Sequence, residues 1–263
     1  MQTVSRRQVL ETLASLGLRP GEGALVHSAV QFLGRPEGGV GLYFEALCEA
    51  LGIEAGPEAP PNPSQGTLAV PTFNFAFARG EPYDPQSTPS AGMGVFSEFV
   101  RTHPLSRRTL HPLQSLAAAG GRAEELAACD TPGAFDPGSA FERMLALDFK
   151  LLLLGAGIEA VSLLHYSEQR FAVPYRYWKE FSGPVKTPSG WQTRTCRMFV
   201  RDLELDPHLT LEPVQALLER RGQWRSAPLN YGRVSLCRMA DFTAAVDEFL
   251  GRDPWALVLN RPD

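Results

Sequence analysis

The sequence has few cysteines, and they are not arranged as a metal-binding or redox motif. Its 263 residues include four cysteines, and no two of them form a C-x-x-C pair. This spacing disfavours a zinc ribbon or a dithiol site, so we expect reduced, mostly buried thiols in a cytoplasmic protein. The N-terminal residues lack the apolar region of a secretory signal. No apolar run approaches the roughly 20 residues that span a bilayer.

A strong excess of either charge is also missing. The formal net charge is -4, and no block of Lys or Arg is present, so we expect neither nucleic acid nor a membrane surface as a partner. Apolar residues make up 44% of the chain and charged residues 21%, which is ordinary for a globular protein. The absence of a G-x-S-x-G motif disfavours an ordinary α/β-hydrolase.

Predicted strands and helices alternate along the chain, which favours an α/β fold. We expect one domain over residues 1–263, in which the aromatic-rich stretch 171–236 forms an insertion or a subdomain on the substrate side. A Pro-, Gly- and Ala-rich surface loop is predicted over 54–66. Hydrophobic spacing predicts helices over 5–16, 40–51, 94–101, 141–147, 211–220 and 239–250, and strands over 24–27, 67–73, 116–119, 151–154 and 193–200.

The most informative segment is the strand predicted over 151–154, four leucines that are followed at once by Gly155. A short helix is predicted after it, and the spacing of His165 and Glu168 places both on one helical face. Ligands of α/β sheets usually bind near such strand ends, where this pair could serve as a base and its orienting partner. The alternative is a histidine that only satisfies a nearby carboxylate.

Two further polar segments could contact a ligand. His27-Ser28 follows the first predicted strand, and Gly38-Gly39 comes soon after; such a loop can expose backbone N–H groups to phosphate, or it can simply end the strand. Residues 106–115 combine two arginines, two serines and a histidine. They form either a solvated basic turn or an anion site, because Arg and hydroxyl donors suit phosphates.

Taken in order, these segments resemble the aminoglycoside 3-N-acetyltransferase (antibiotic N-acetyltransferase) family. The resemblance implies a layered α/β sheet-and-helix fold distinct from that of the GNAT acetyltransferases. It rests on Val26-His27-Ser28-Ala29 with Gly34 and Glu37-Gly38-Gly39, Pro71-Thr72-Phe73, Thr88-Pro89-Ser90 with Gly92-Met93-Gly94, Arg108-Thr109-Leu110-His111-Pro112 with Ser115, Ser139 with Phe141-Glu142, and Leu153-Leu154-Gly155-Ala156 through Leu164-His165-Tyr166-Ser167-Glu168.

The resemblance also implies a reaction, in which acetyl-CoA donates an acetyl group to an amine of an aminoglycoside, an amino sugar or a related small amine. His165 would be the general base and Glu168 the carboxylate beside it. No metal is implied, and a homodimer is compatible with the sequence. The residues expected near coenzyme A are His27, Ser28, Ala29, Val30, Ser106, Arg107, Arg108, His111 and Ser115.

The sequence does not identify the amine that accepts the acetyl group. Aminoglycosides are polycations, whereas residues 173–180 are aromatic and partly basic. Asp202, Glu204 and Asp206 are acidic, but their alternation also suits a solvated strand edge. Two other hypotheses remain: a metal-dependent hydrolase that uses His165, Glu168 and another histidine, and a non-catalytic homologue that binds coenzyme A.

Overall fold

The computed structural model describes residues 2–54 and 62–261. Most of the surface loop predicted over 54–66 therefore lies outside the described residues. None of the described helices has the length and apolar character that a membrane span requires.

Eight α-helices and eleven β-strands are formed within the described residues. The helices are α1 (Arg6–Ser15), α2 (Gly41–Leu51), α3 (Gly94–Thr102), α4 (Ala123–Ala127), α5 (Ala140–Ala146), α6 (Leu164–Arg170), α7 (Glu212–Arg220) and α8 (Met239–Arg252). The strands are β1 (Thr3–Val4), β2 (Gly23–Ser28), β3 (Arg35–Pro36), β4 (Thr67–Pro71), β5 (Ser106–Arg108), β6 (Leu116–Gly120), β7 (Lys150–Leu154), β8 (Arg176–Thr187), β9 (Gly190–Arg201), β10 (Arg225–Leu229) and β11 (Gly232–Arg238).

Seven strands form a mixed central sheet in the order β10-β11-β7-β2-β4-β6-β5. Strand β2 is parallel to both β4 and β7, and the other neighbours pair antiparallel. Side chains of successive residues point to opposite faces of a sheet. Accordingly, Leu151 and Leu153 pack into the core that contains α5 to α8, whereas Leu152 and Leu154 pack into the core that contains α1 to α3. Helices thus cover both faces, as in the predicted α/β class.

The stretch 171–236 divides between two sheets. Strands β8 and β9 form a separate antiparallel hairpin, attached to the body by backbone hydrogen bonds from Tyr83 N to Pro184 O (2.9 Å) and from Lys186 N to Tyr83 O (2.8 Å). Strands β10 and β11 instead join the central sheet, where β11 pairs with β7. The assignment of 171–236 as a substrate-side subdomain stays a prediction.

Several of the predicted functional segments lie together at one edge of the central sheet, where β2, β4 and β7 end. The parallel strands β2 and β7 end side by side, with Ser28 opposite Leu154. On the other side of β2, Pro71 at the end of β4 faces Leu116 at the start of β6. The segments around 28, 72, 115 and 155 therefore meet at this edge, which is where ligands bind in sheets of this kind.

Candidate active site

His165 and Glu168 lie on α6 and are in direct contact. The distance from His165 Nδ1 to Glu168 Oε2 is 2.6 Å. The Glu168 side chain is fully buried, whereas that of His165 is 32% exposed. Because a carboxylate only accepts hydrogen bonds, it holds the proton on Nδ1 and leaves the lone pair of Nε2 free. The shared helical face predicted from the spacing is confirmed.

A third charged residue, Arg176 at the start of β8, completes this buried cluster. Its Nε lies 2.8 Å from Glu168 Oε2, and its side chain is 9% exposed. Burial alone would raise the pKa of Glu168, but the charge and hydrogen bond of His165, together with Arg176, hold it below its ordinary value. Glu168 is therefore a carboxylate at neutral pH. Arg176 was not predicted from the sequence as a site residue.

A cavity of about 420 Å³ opens beside His165. Phe135 forms part of its wall and meets the His165 ring edge-on, with ring centroids 5.9 Å apart and an interplanar angle of 75°. The neighbouring Asp136 is buried and accepts hydrogen bonds from Gly133 N and from Gln169, the residue after Glu168 on α6. The other lining residues are Phe75, Gln114, Arg176, Met198, Phe199, Arg201, Pro207, His208 and Leu209.

His27 connects the end of β2 to the loop before α6. Its Nε2 accepts a hydrogen bond from Ser162 N at 3.1 Å and lies 3.0 Å from Ser162 Oγ. Burial lowers the pKa of His27 to about 4, so the ring is neutral at physiological pH. This contact links the end of β2 to the loop that precedes α6, the helix that carries His165.

The residues that follow His27 have mixed surroundings. Ser28 Oγ is buried without a hydrogen-bond partner. Ala29 N donates to Leu154 O at 2.9 Å, which leaves it no free proton for a ligand. Val30 begins a 3-10 helix over Val30–Leu33. The expected contacts of Ser28, Ala29 and Val30 with coenzyme A, like that of His27, stay a prediction.

The two arginines of the basic segment 106–115 have different partners. Arg107 is half-exposed and pairs with Glu124 on α4, with 2.5 Å between Nε and Oε1. Arg108 is largely buried, which lowers the pKa of its guanidinium. It donates from Nε to Thr72 Oγ1 and Ser115 Oγ, both at 3.1 Å, and from Nη2 to Thr72 O at 2.7 Å. Arg108 thus links the residue after β4 to the residue before β6 by hydrogen bonds.

Ser106, His111 and Ser115 are also held within the protein. His111 Nδ1 accepts from Gln114 N at 3.0 Å, and burial lowers the pKa of His111 to about 4. Ser115 Oγ donates to Thr72 O at 2.9 Å, while Ser106 Oγ is buried without a partner. Gln114 lines the cavity of His165, so this segment borders the same site.

Metal binding was one of the hypotheses raised by the histidines. Across residues 2–54 and 62–261, no group of three or more His, Cys, Asp and Glu side chains is placed to hold a metal ion. His27 and His111 are each engaged elsewhere through a ring nitrogen. The hydrolase hypothesis therefore lacks a ligand set in the described part of the chain.

Comparison with known proteins identifies the family of the chain. The family model of aminoglycoside 3-N-acetyltransferase matches residues 25–251. The chain belongs to this family. Aminoglycoside N(3)-acetyltransferase IV from Salmonella sp is 34% identical over 267 residues, covering 98% of this chain and 91% of the relative. The family predicted from the ordered motifs is confirmed, and the chain is an acyltransferase.

Two solved structures of aminoglycoside acetyltransferases share the fold. The binary complex of AAC-IIIb with CoASH has a TM-score of 0.79 at 25% identity, covering 99% of this chain and 100% of that one. A histidine-to-alanine mutant of AAC(3)-IVa in complex with a gentamicin has a TM-score of 0.77 at 26% identity, with 98% and 92% covered. The predicted acetyltransferase type of α/β fold is confirmed.

Proposed function

We propose that this acyltransferase moves an acetyl group from acetyl-CoA to the amine of a small molecule, with His165 as the general base. The observation that carries the proposal is the 2.6 Å contact between His165 Nδ1 and Glu168 Oε2. It leaves Nε2 as the proton acceptor on a side chain that lines the cavity. Family membership supplies the reaction class, and the CoASH complex of AAC-IIIb supports the donor.

The chemistry of the residues suits this reaction. An alkylammonium must lose a proton before its nitrogen can attack a thioester, and a histidine is suited to accept that proton near neutral pH. In the proposed step the amine nitrogen, whose ammonium proton has passed through His165 to solvent, forms a bond to the acetyl carbon, the carbon–sulfur bond breaks, and the remaining proton that the nitrogen loses passes to His165 Nε2. The sulfur leaves as a thiolate, which takes this proton from the His165 imidazolium. Ionised Glu168 stabilises the imidazolium that forms.

Arg176 is proposed as a positioning residue for this pair. It lies 2.8 Å from the same Glu168 oxygen that contacts His165, and both Arg176 and Glu168 are buried. A buried carboxylate with one partner removed is costly. Arg176 thereby keeps Glu168 ionised and fixed in the orientation that holds the His165 ring.

Coenzyme A is proposed to bind along the edge formed by the loops at 27–30 and 106–115. Two observations suit an anionic, hydrogen-bonding ligand there: the buried, unpartnered Ser28 Oγ and the buried cation of Arg108. His27, Ala29 and Val30 on one loop, and Ser106, Arg107, His111 and Ser115 on the other, are the remaining proposed contacts. Association into a homodimer stays a prediction.

The test is a His165→Ala variant assayed for thiol release from acetyl-CoA with a competent amine. We expect turnover to fall by at least about 100-fold while coenzyme A still binds, because only the proton acceptor is removed. Glu168→Gln should lower kcat by a similar factor, because the amide cannot compensate the imidazolium charge.

The matched control is His103→Ala, which removes a histidine that packs against Phe44 on the opposite side of the sheet from α6. We expect it to keep the turnover of the unmodified protein. Retained turnover in a folded His165→Ala variant would overturn the assignment of the base.

A further inference from the structure

The cavity beside His165 has an unusual charge distribution for an enzyme that would accept a polycation. Its lining includes Arg176, Arg201 and His208, together with apolar side chains such as Phe199. No Asp or Glu side chain lines it within the described part of the chain. A ligand with several ammonium groups would therefore meet arginines in this cavity, and Asp206, a carboxylate next to the lining, already faces Arg201 and His208.

The two arginines differ in how firmly their charges are compensated. Arg176 is buried against Glu168 at 2.8 Å. Arg201 is only loosely paired, because its Nη2 lies 3.5 Å from Asp206 Oδ1 and the two side chains are 46% and 57% exposed. Asp206 Oδ2 is also 3.5 Å from His208 Nε2. Charge-assisted hydrogen bonds are usually about 2.7–2.9 Å long, so Arg201 keeps donors for a ligand.

Asp202 and Glu204 do not add negative charge to the lining of the cavity. Asp202 Oδ1 accepts hydrogen bonds from Glu204 N at 2.9 Å and Leu205 N at 3.4 Å, which stabilises the turn after β9. Glu204 is exposed to solvent. Neither side chain lines the cavity, and solvent screens their effect on a ligand inside it.

The wall that carries His208 is held in place by the C-terminal segment. His208 N donates to Asn260 Oδ1 at 2.6 Å, and Leu259 N donates to His208 O at 2.8 Å. Asn260 Nδ2 in turn donates to Asp206 O at 3.0 Å. The backbone at Asp206 and His208 is thus held by the fold before any ligand binds.

Building on the proposed function, we infer that the acceptor is a primary amine that also carries an anionic group, either a carboxylate or a phosphate. The anionic group pairs with Arg201 and His208, and the amine reaches His165 Nε2. The body of the molecule lies against Phe199 and Phe135. The shared chemistry is one amine and one acidic group on a compact, partly apolar body.

The test compares amines in pairs that differ in the anionic group. Glucosamine 6-phosphate is compared with glucosamine, phenylalanine with phenethylamine, and gentamicin and kanamycin represent polycations. Thiol release from acetyl-CoA gives kcat and KM for each. We expect the member with the anionic group in at least one pair to have a kcat/KM at least tenfold higher than its counterpart without that group and than either aminoglycoside. The first pair tests a phosphate and the second a carboxylate.

Variants of Arg201 separate recognition from chemistry. Arg201→Gln should raise KM for the preferred anionic amine at least tenfold with little change in kcat, and Arg201→Glu should shift the preference toward cationic amines. Arg7→Gln, on an exposed arginine of α1, is the matched control and should leave both constants unchanged. A higher kcat/KM for gentamicin or for both amines that lack the anionic group, or kinetic constants that do not change in the Arg201 variants, would overturn the inference alone. No turnover of any amine would overturn both the inference and the proposed function.

Discussion

At the scale of single residues, three histidines take different states because their surroundings differ. His27 and His111 are buried, and burial lowers the pKa of each to about 4. His165 faces a cavity and contacts an ionised carboxylate. The first two therefore act as neutral hydrogen-bonding groups, while the third is the proposed proton acceptor.

The buried histidines make the stability of the protein depend on pH. An unfolded histidine has a pKa near 6.5, above the value of about 4 that His27 has in the fold. The unfolded state binds more protons between these values, so stability is complete above about pH 6.5 and falls as pH drops toward 4, by on the order of 3 kcal/mol for one such group. We expect urea unfolding at pH 7.5 and 4.5 to show a smaller difference for His27→Gln than for the unmodified protein. Equal differences would contradict this.

Only some residues of the candidate site could be predicted from the sequence. His165 and Glu168 could be paired from sequence because the helical repeat alone brings them together. Arg176 lies beyond the end of α6, and its contact with Glu168 depends on how the chain turns into β8. Phe135 and Arg201 reach the cavity only through the tertiary fold. No local pattern marks such contacts.

At the scale of elements, the segments with strong hydrophobic periodicity were predicted well. The helix predicted over 239–250 corresponds to α8, and the leucine strand over 151–154 lies within β7. Strand β8 was missed because half of its residues are exposed and only Val185 is buried, so it lacks a continuous buried face that would produce an alternating pattern. Strand β10 was missed because it is short and contains Pro228.

The junction between β7 and the loop that leads to α6 depends on a glycine. Gly155 has φ of 77°, and a Cβ there would lie 2.6 Å from Ala29 O. We expect Gly155→Ala to lower the free energy of unfolding by about 1–3 kcal/mol, because a left-handed backbone and a clash combine. Chemical denaturation of the purified variant measures this.

Gly157 provides the matched control for that prediction. Its φ is -82°, and no atom lies within 4 Å of a Cβ built there. Gly157→Ala should therefore change the free energy of unfolding by no more than about 0.5 kcal/mol. Equal losses in the two variants would show that the close approach to Ala29 is not the cause.

At the scale of the whole molecule, the last strands of the chain add to one side of the central sheet. Strand β11 pairs with β7 although the hairpin β8–β9 and helix α7 come between them in sequence. Antiparallel addition of a C-terminal hairpin to a parallel pair cannot be deduced from strand patterns, because the order and register depend on long-range packing. The α/β class was predictable, whereas this topology was not.

The topology predicts which regions open together. Amide hydrogen exchange should be slowest in β2, β7 and β11, which are buried between two helical layers, and faster at the exposed β8–β9 turn near Gly190. Mass spectrometry of peptic fragments would report this. If β10 and β11 instead exchanged together with β8 and β9, residues 171–236 would behave as a separate folding unit.

The hydrogen bonds that hold the 202–210 loop against residues 257–260 have a consequence for how this enzyme could diversify. The proposed acid–base pair lies on α6, whereas Arg201 and His208 belong to a strand end and a loop supported from elsewhere. We therefore expect substitutions at 198–209 to alter which amines are accepted without disturbing the proposed proton acceptor. Natural selection could retarget such a scaffold through a handful of changes while its catalytic chemistry is inherited intact.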